Sequence, residues 1–132
     1  LFSGVGSFGI ECLSQGANHV TFIEKYKGVL PILQKNLNNL KSEINYEIIV
    51  SDILNNFEFK RLKLRYDIIF LDPPYKEKNL ENILNRIIKD KILKDNGIII
   101  IHRHKKDIVK ITKKFKILEN RSYGISKILF GN

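Results

Sequence analysis

Asp67-Ile68-Ile69-Phe70-Leu71-Asp72-Pro73-Pro74-Tyr75 runs an apolar segment directly into a doubled proline. The apolar part reads as a buried strand, so Asp72 and Tyr75 fall at its C-terminal mouth. In an open α/β sheet, ligands bind in the crevice outside the carboxyl ends of the strands. Pro73 and Pro74 lack an N–H and fix φ, and Pro73 pushes Asp72 toward an extended conformation. The expected product is a stiff loop that presents a carboxylate, an aromatic face and carbonyls with no competing donors.

Around that stretch lie 132 residues with 43% hydrophobic content, which predict one domain spanning 1–132 with a real core. The formal net charge of +9 suits a polyanionic partner such as nucleic acid, although a composition rich in Ile, Lys and Asn supplies charge without any binding role. No Met occurs, and the first residues already lie inside a glycine-rich motif, so an N-terminal strand is expected to be missing. No apolar run approaches the ~18 residues of a membrane span. Cys12, the single cysteine, excludes an intrachain disulfide and a multi-cysteine metal site and reads as a packed thiol in a reducing compartment. A soluble, cytoplasmic protein with no membrane partner is expected.

Upstream, Gly4, Gly6 and Gly9 have the G-x-G-x-x-G spacing of a nucleotide-binding turn, which needs a strand before it and a helix after it. The helix is predicted over 7–15, ending at Gly16. His19-Val20-Thr21-Phe22-Ile23 reads as a strand closed by Glu24, the place of an acid that binds ribose hydroxyls. A helix over 27–40 follows, with Val29, Leu30, Leu33, Leu37 and Leu40 on one face and Pro31 in its first turn. Tyr46-Glu47-Ile48-Ile49-Val50 is the next strand. Asp52, just after it, could cap the following turn or meet an adenine amino group.

Residues 53–64 form a basic, partly helical connector to the strand at 66–71. Downstream, residues 80–93 carry Leu80, Ile83, Leu84, Ile87 and Ile88 at helical spacing. Asn96-Gly97 is expected to turn the chain into Ile98-Ile99-Ile100-Ile101, a run of the kind buried on both faces of a parallel sheet. Four strands with intervening helices predict βαβ units and a mostly parallel sheet. A helix over 106–114 and a hairpin of strands 115–119 and 123–130, joined at Asn120-Arg121-Ser122, complete the expected α/β fold.

Together these pieces resemble a class I S-adenosylmethionine-dependent methyltransferase with a Rossmann-like fold, of the type that methylates exocyclic amino groups of nucleobases. Within that group the chain is most similar to the RsmD-type 16S ribosomal RNA guanine-N2 methyltransferases. The resemblance is carried by the opening Phe2-Ser3-Gly4-Val5-Gly6, Phe22-Ile23-Glu24-Lys25, Ser51-Asp52, Phe70-Leu71-Asp72-Pro73-Pro74-Tyr75 and Arg121-Ser122-Tyr123-Gly124. It implies S-adenosylmethionine held by Phe2, Gly4 and Gly6, by Glu24 at the ribose, by Asp52 and Ile53 at the adenine, and by Lys25 and Asp72. It also implies ribosomal RNA as partner, within a small-subunit particle, and a monomeric enzyme. Relatives often carry an acid where this chain has His102-Arg103-His104.

An exocyclic amine on a base is a poor nucleophile because its lone pair is delocalised into the ring. Asp72 and the Pro73 carbonyl are expected to accept its two N–H bonds, while Pro74 and Tyr75 hold the extruded base, with Tyr75 stacked on it. The basic run from His102 to Lys106 follows the next strand, and Arg103 and Lys105 are candidates for RNA phosphates, against a merely solvated loop. Two alternate histidines without acid or cysteine partners give no metal site. Competing readings are an adenine-N6 DNA methyltransferase, an NAD-dependent oxidoreductase, which would leave the Asp-Pro-Pro-Tyr loop without a role, and a non-catalytic RNA-binding module.

Overall fold

The computed structural model describes residues 1–40, 43–55 and 57–132, and they cluster into two compact units, Leu1–Asn55 and Asn56–Asn132. Among the described residues no helix is long and apolar enough to cross a membrane.

In the first unit, α1 (Ser7–Ser14) leads to β1 (Val20–Glu24), and a single 3₁₀ turn at Lys27–Val29 leads into α2 (Leu30–Asn38) and then β2 (Tyr46–Val50). The two strands pair in parallel, with Val20 opposite Tyr46 and Glu24 opposite Val50. The helix expected over 27–40 thus forms in two pieces, with Pro31 in the first turn of α2, where its missing N–H has no intrahelical partner to lose. Leu13, Phe22, Leu33 and Leu37 form the buried cluster, with Ile10, Val20, Leu40, Ile44, Tyr46 and Ile48 packed around it. Burying such side chains contributes roughly 1.5–3 kcal/mol each relative to exposure, so the leucine stripe read from α2 is what anchors that helix. Partial burial, reinforced by Glu11, pushes the Cys12 thiol up, as a packed rather than reactive cysteine requires.

Helix α1 lies so close to β1 that a Cβ on Gly9 would strike the Phe22 ring and approach Val20 Cγ1 to 2.9 Å. Alanine there would gain up to about 1 kcal/mol of helix propensity but overpack the contact by about 1–3 kcal/mol. Gly9→Ala is therefore expected to lower stability by about 1 kcal/mol in urea unfolding. An unchanged or raised midpoint would mean that the helix can move away freely.

In the second unit, a 3₁₀ turn at Phe59–Arg61 precedes β3 (Tyr66–Leu71), α3 (Leu80–Lys89), β4 (Leu93–His104), β5 (Ile117–Tyr123) and β6 (Ser126–Gly131). Residue 56 of the expected connector lies outside the described residues. The sheet order is β3-β4-β6-β5, with β3 and β4 parallel and β6 antiparallel to both β4 and β5. Among the described residues the molecule is α/β, with two parallel and two antiparallel strand pairings. Helix α3 buries Leu80, Ile83, Leu84 and Ile87, as the spacing predicts. Its Arg86 donates to the Phe57 carbonyl and lies 5.3 Å from the centre of the Phe59 ring, so the long side chain covers the connector.

Four local expectations are corrected. Asn96-Gly97 is not a turn before the strand; it lies inside β4, which starts at Leu93. There β3 advances two residues from Tyr66 to Ile68 while β4 advances five from Leu93 to Ile98, so the glycine sits in an irregular bulge. The isoleucine run is not buried on both faces: Ile99 and Ile101 are buried, while Ile98 and Ile100 are half-buried.

No helix forms at 106–114; residues 105–116 are turns and irregular chain. Ile108, Val109, Ile111 and Thr112 are all β-branched and weak helix formers, and Ile108 is 95% exposed, so no apolar stripe holds a helix there. The hairpin turns at Gly124-Ile125, not at Asn120-Arg121-Ser122, which are paired with Leu129, Ile128 and Lys127. A two-residue hairpin loop of the Gly-X kind needs positive φ at its first residue, and Gly124 supplies it at 56°.

Candidate functional site

The parallel register between β3 and β4 sets Leu71 opposite Ile101, so Asp72 emerges beside His102. His102 Nδ1 lies 2.8 Å from Asp72 Oδ1, and its Nε2 lies 2.9 Å from Ser126 Oγ at the start of β6. Asp72 Oδ2 has no hydrogen-bond partner among the described residues. Side chains alternate across a strand, so the next residue, Arg103, points to the other face. There it is only 5% exposed.

The Arg103 guanidinium grips the loop from beneath. Nη1 donates to the Pro74 carbonyl at 2.9 Å and, at the long limit of 3.4 Å, to that of Pro73. Nη2 donates to the carbonyls of Tyr75 at 2.9 Å and Glu77 at 3.1 Å. Two prolines in sequence offer no N–H of their own, so the loop carbonyls need an external donor, and a planar fork with five N–H groups can serve several at once. Asp107 approaches Nη2 to 3.0 Å, but its Oδ2 and the Arg103 Nε make no aligned hydrogen bond. That pair is held by charge rather than by hydrogen-bond geometry. The Glu77 N–H donates to the Pro74 carbonyl at 2.9 Å, and Glu77 Oε1 accepts from the Asn79 N–H ahead of α3.

These contacts overturn two expectations. Arg103 is not available to RNA phosphates; it is buried and holds the Asp-Pro-Pro-Tyr loop. Nor are the loop carbonyls without competing donors, since that of Pro74 already accepts two. The Pro73 carbonyl is the exception, with only the long Arg103 contact. The Tyr75 ring is 55% exposed and stands edge-on to His104, with ring centres 5.9 Å apart. Lys105 is exposed, its backbone N–H bound to the Ile125 carbonyl at the hairpin tip. Among the described residues no three metal-ligating side chains come together.

In the first unit, the glycine loop is built around a carboxylate. Phe2, Gly4 and Gly6 have φ of 58°, 52° and 87°, a left-handed conformation that is cheap for glycine and strained for phenylalanine. Glu24, closing β1, accepts the Gly4 N–H on Oε2 at 2.8 Å. Its Oε1 accepts the N–H groups of Lys25 at 2.9 Å and Tyr26 at 2.8 Å. Asp52 caps its own turn, accepting from the Leu54 N–H and the Asn55 amide at 3.0 Å each. Lys25 Nζ stands 3.4 Å from Asp52 Oδ2, an exposed pair of small energetic weight. Ile53 is buried.

The structure therefore brings Gly4, Glu24, Lys25 and Asp52 together in the first unit, and Asp72, Pro73, Pro74, Tyr75 and Arg103 in the second. Ser126 joins the second group without having been singled out from the sequence, and His102, read there as part of a basic run, joins it as the partner of Asp72. Their meeting beside Asp72 depends on a strand register the sequence does not state.

The conserved hypothetical protein 95 family model matches residues 1–132. The chain is 32% identical over 125 residues to ribosomal RNA small subunit methyltransferase D of Haemophilus influenzae, covering 94% of this chain and 65% of that protein. It is 33% identical over 120 residues to the protein of the same name in Buchnera aphidicola (subsp. Acyrthosiphon pisum), covering 91% of this chain and 62% of that one. The chain thus spans somewhat under two thirds of these curated relatives. A solved candidate methylase from Haemophilus influenzae superposes with a TM-score of 0.81 at 30% identity, over 98% of this chain and 81% of that one. The fold is that of class I methyltransferases, and the chain belongs to the conserved hypothetical protein 95 family, the RsmD family.

Proposed function

We propose that residues 1–132 carry one methyl-transfer activity, from S-adenosylmethionine to the exocyclic N2 amino group of a guanine in small-subunit ribosomal RNA. The observation that carries this reading is the Asp72 carboxylate held at the mouth of β3 with Oδ2 uncommitted, beside a Pro73 carbonyl with one long contact. Two such acceptors match the two N–H bonds of a base amine. Accepting both draws the nitrogen lone pair out of conjugation and stabilises the positive charge that develops on it during attack. The exposed Tyr75 ring offers a stacking face for a base that has left its own stack.

Glu24 fits the cofactor's ribose. Three of the roughly four acceptor positions of its carboxylate are taken by Gly4, Lys25 and Tyr26 N–H groups, which leaves one for a ribose O–H without disturbing the loop. Gripping both hydroxyls requires one of those N–H groups to be released. S-adenosylmethionine, when bound, supplies an electrophilic methyl on a sulfonium whose C–S electron pair returns to sulfur. What the chain supplies is the fixed carboxylate, the left-handed glycine turn and, in the second unit, the alignment of the amine.

Glu24→Gln would remove charge assistance from the ribose contact and turn an amide N–H toward a backbone donor. Losing hydrogen bonds to a charged group at about 1.5–3 kcal/mol corresponds to roughly 10- to 150-fold weaker cofactor binding. Calorimetric titration of the full-length protein with S-adenosylmethionine measures this, and an unchanged Kd would remove Glu24 from the ribose site. The reaction itself is tested by incubating the full-length protein with labelled S-adenosylmethionine and ribosomal RNA, small-subunit particles or DNA, then mapping the modified base. Label at guanine N2 in small-subunit RNA supports the reading; label in adenine of DNA overturns it.

A further inference from the structure

We propose that His102 is the positioning residue of Asp72, working through a hydrogen-bonded chain from Ser126 to His102 to Asp72. This rests on the reading of Asp72 as the acceptor of the substrate amine. An aspartate at a loop mouth, half exposed as Asp72 is, has several open rotamers, and only some point Oδ2 where an amine can use it. The imidazole removes that freedom. Nδ1 takes Oδ1 at 2.8 Å, and Ser126 Oγ, 2.9 Å from Nε2, stops the ring from turning.

The chain also specifies the tautomer. An ionised carboxylate only accepts, so the ring proton must sit on Nδ1 to donate to Asp72. In the neutral ring Nε2 then carries the lone pair and accepts the Ser126 O–H. The arrangement uses three adjacent strands of the sheet, since β4 pairs with β3 on one side and β6 on the other. His102 also lies on the face of β4 opposite Arg103, so the two neighbours act on different parts of the motif. Arg103 holds the loop backbone, and His102 aims the carboxylate.

Three variants and one spectroscopic signature test this in the full-length protein. His102→Leu keeps comparable bulk and loses the donor; kcat for methyl transfer is expected to fall about 10- to 100-fold, the range for misplacing a reacting group, with cofactor Kd and RNA KM unchanged. His102→Asn can place an amide N–H where Nδ1 stood and is expected to recover kcat to within about threefold of wild type. In nitrogen-15 spectra, His102 is expected to show a protonated Nδ1 and an unprotonated Nε2, and to lose that preference in Asp72→Ala. A kcat for His102→Leu within twofold of wild type overturns the proposal while leaving the methyltransferase reading intact. If His102→Leu does not fold, a wild-type ring without a proton on Nδ1 overturns it equally. A wild-type protein that methylates no RNA defeats the methyltransferase reading instead, and the tautomer still reports whether the His102–Asp72 link exists.

Discussion

Replacing Asp72 by alanine is expected to lower kcat for methyl transfer by about 10²- to 10³-fold, the range for removing one preorganised group that stabilises transition-state charge. Cofactor affinity should change far less, because Asp72 is one of several residues implied to hold the cofactor and the others, Phe2, Gly4, Gly6, Glu24, Lys25, Asp52 and Ile53, lie in the first unit. The fold should survive, since Asp72 is half exposed and its neighbour His102 keeps Ser126. Asp72→Asn separates two contributions. It retains a carbonyl acceptor but loses the charge, so its rate should fall between alanine and wild type. A rate for Asp72→Ala within threefold of wild type would sink the proposed role of the carboxylate.

Arg103→Met should be strongly destabilising to the second unit. Methionine fills the space of the aliphatic stem but leaves the Tyr75 carbonyl without its donor and the Asp107 carboxylate without its cation. Removing one partner of a buried ion pair costs about 3–5 kcal/mol, and about 3 kcal/mol is the better figure here because the Asp107 side chain remains 24% exposed and can be hydrated. Denaturant unfolding reads the loss directly. At permissive temperature the rate should also fall, since the Asp-Pro-Pro-Tyr backbone loses its grip, while the salt dependence of RNA binding stays as in wild type. A phosphate-binding arginine gives the reverse pattern: unchanged stability and a salt slope reduced by about one. Arg103→Lys should rescue only part of the loss, because an ammonium cannot serve the carbonyls of Pro74, Tyr75 and Glu77 with a planar fork.

Much of the molecule was legible without coordinates. The strands at Val20–Glu24, Tyr46–Val50 and Tyr66–Leu71 follow from short apolar runs rich in β-branched and aromatic residues, and the stripe of α3 follows from helical spacing. The failures share a cause. Residues 105–116 and 120–122 are stretches rich in charged and polar residues where local preference is weak and long-range partners decide. Arg121 could stand in a connection or in a strand, and the preference of the Gly124 turn for positive φ settled the matter. Arg103 was misread because charge in a sequence signals solvent or phosphate by default. Nothing in a linear string says that four carbonyls of a proline loop converge beneath it.

What the sequence by itself determined was the α/β class, the position of the glycine loop and the acid closing β1, and the place of Asp72-Pro73-Pro74-Tyr75 at the C-terminal end of β3, because these depend on local periodicity and on residues with narrow conformational uses. Only the tertiary structure decided that β4 supports the motif from both faces. The register of β3 against β4 turns two adjacent residues into opposite tools, His102 at the carboxylate and Arg103 at the backbone. Period-two alternation makes such a division available on any strand. Which residue meets which partner is set by pairing across 30 positions of chain, and that contact is invisible until the sheet is assembled.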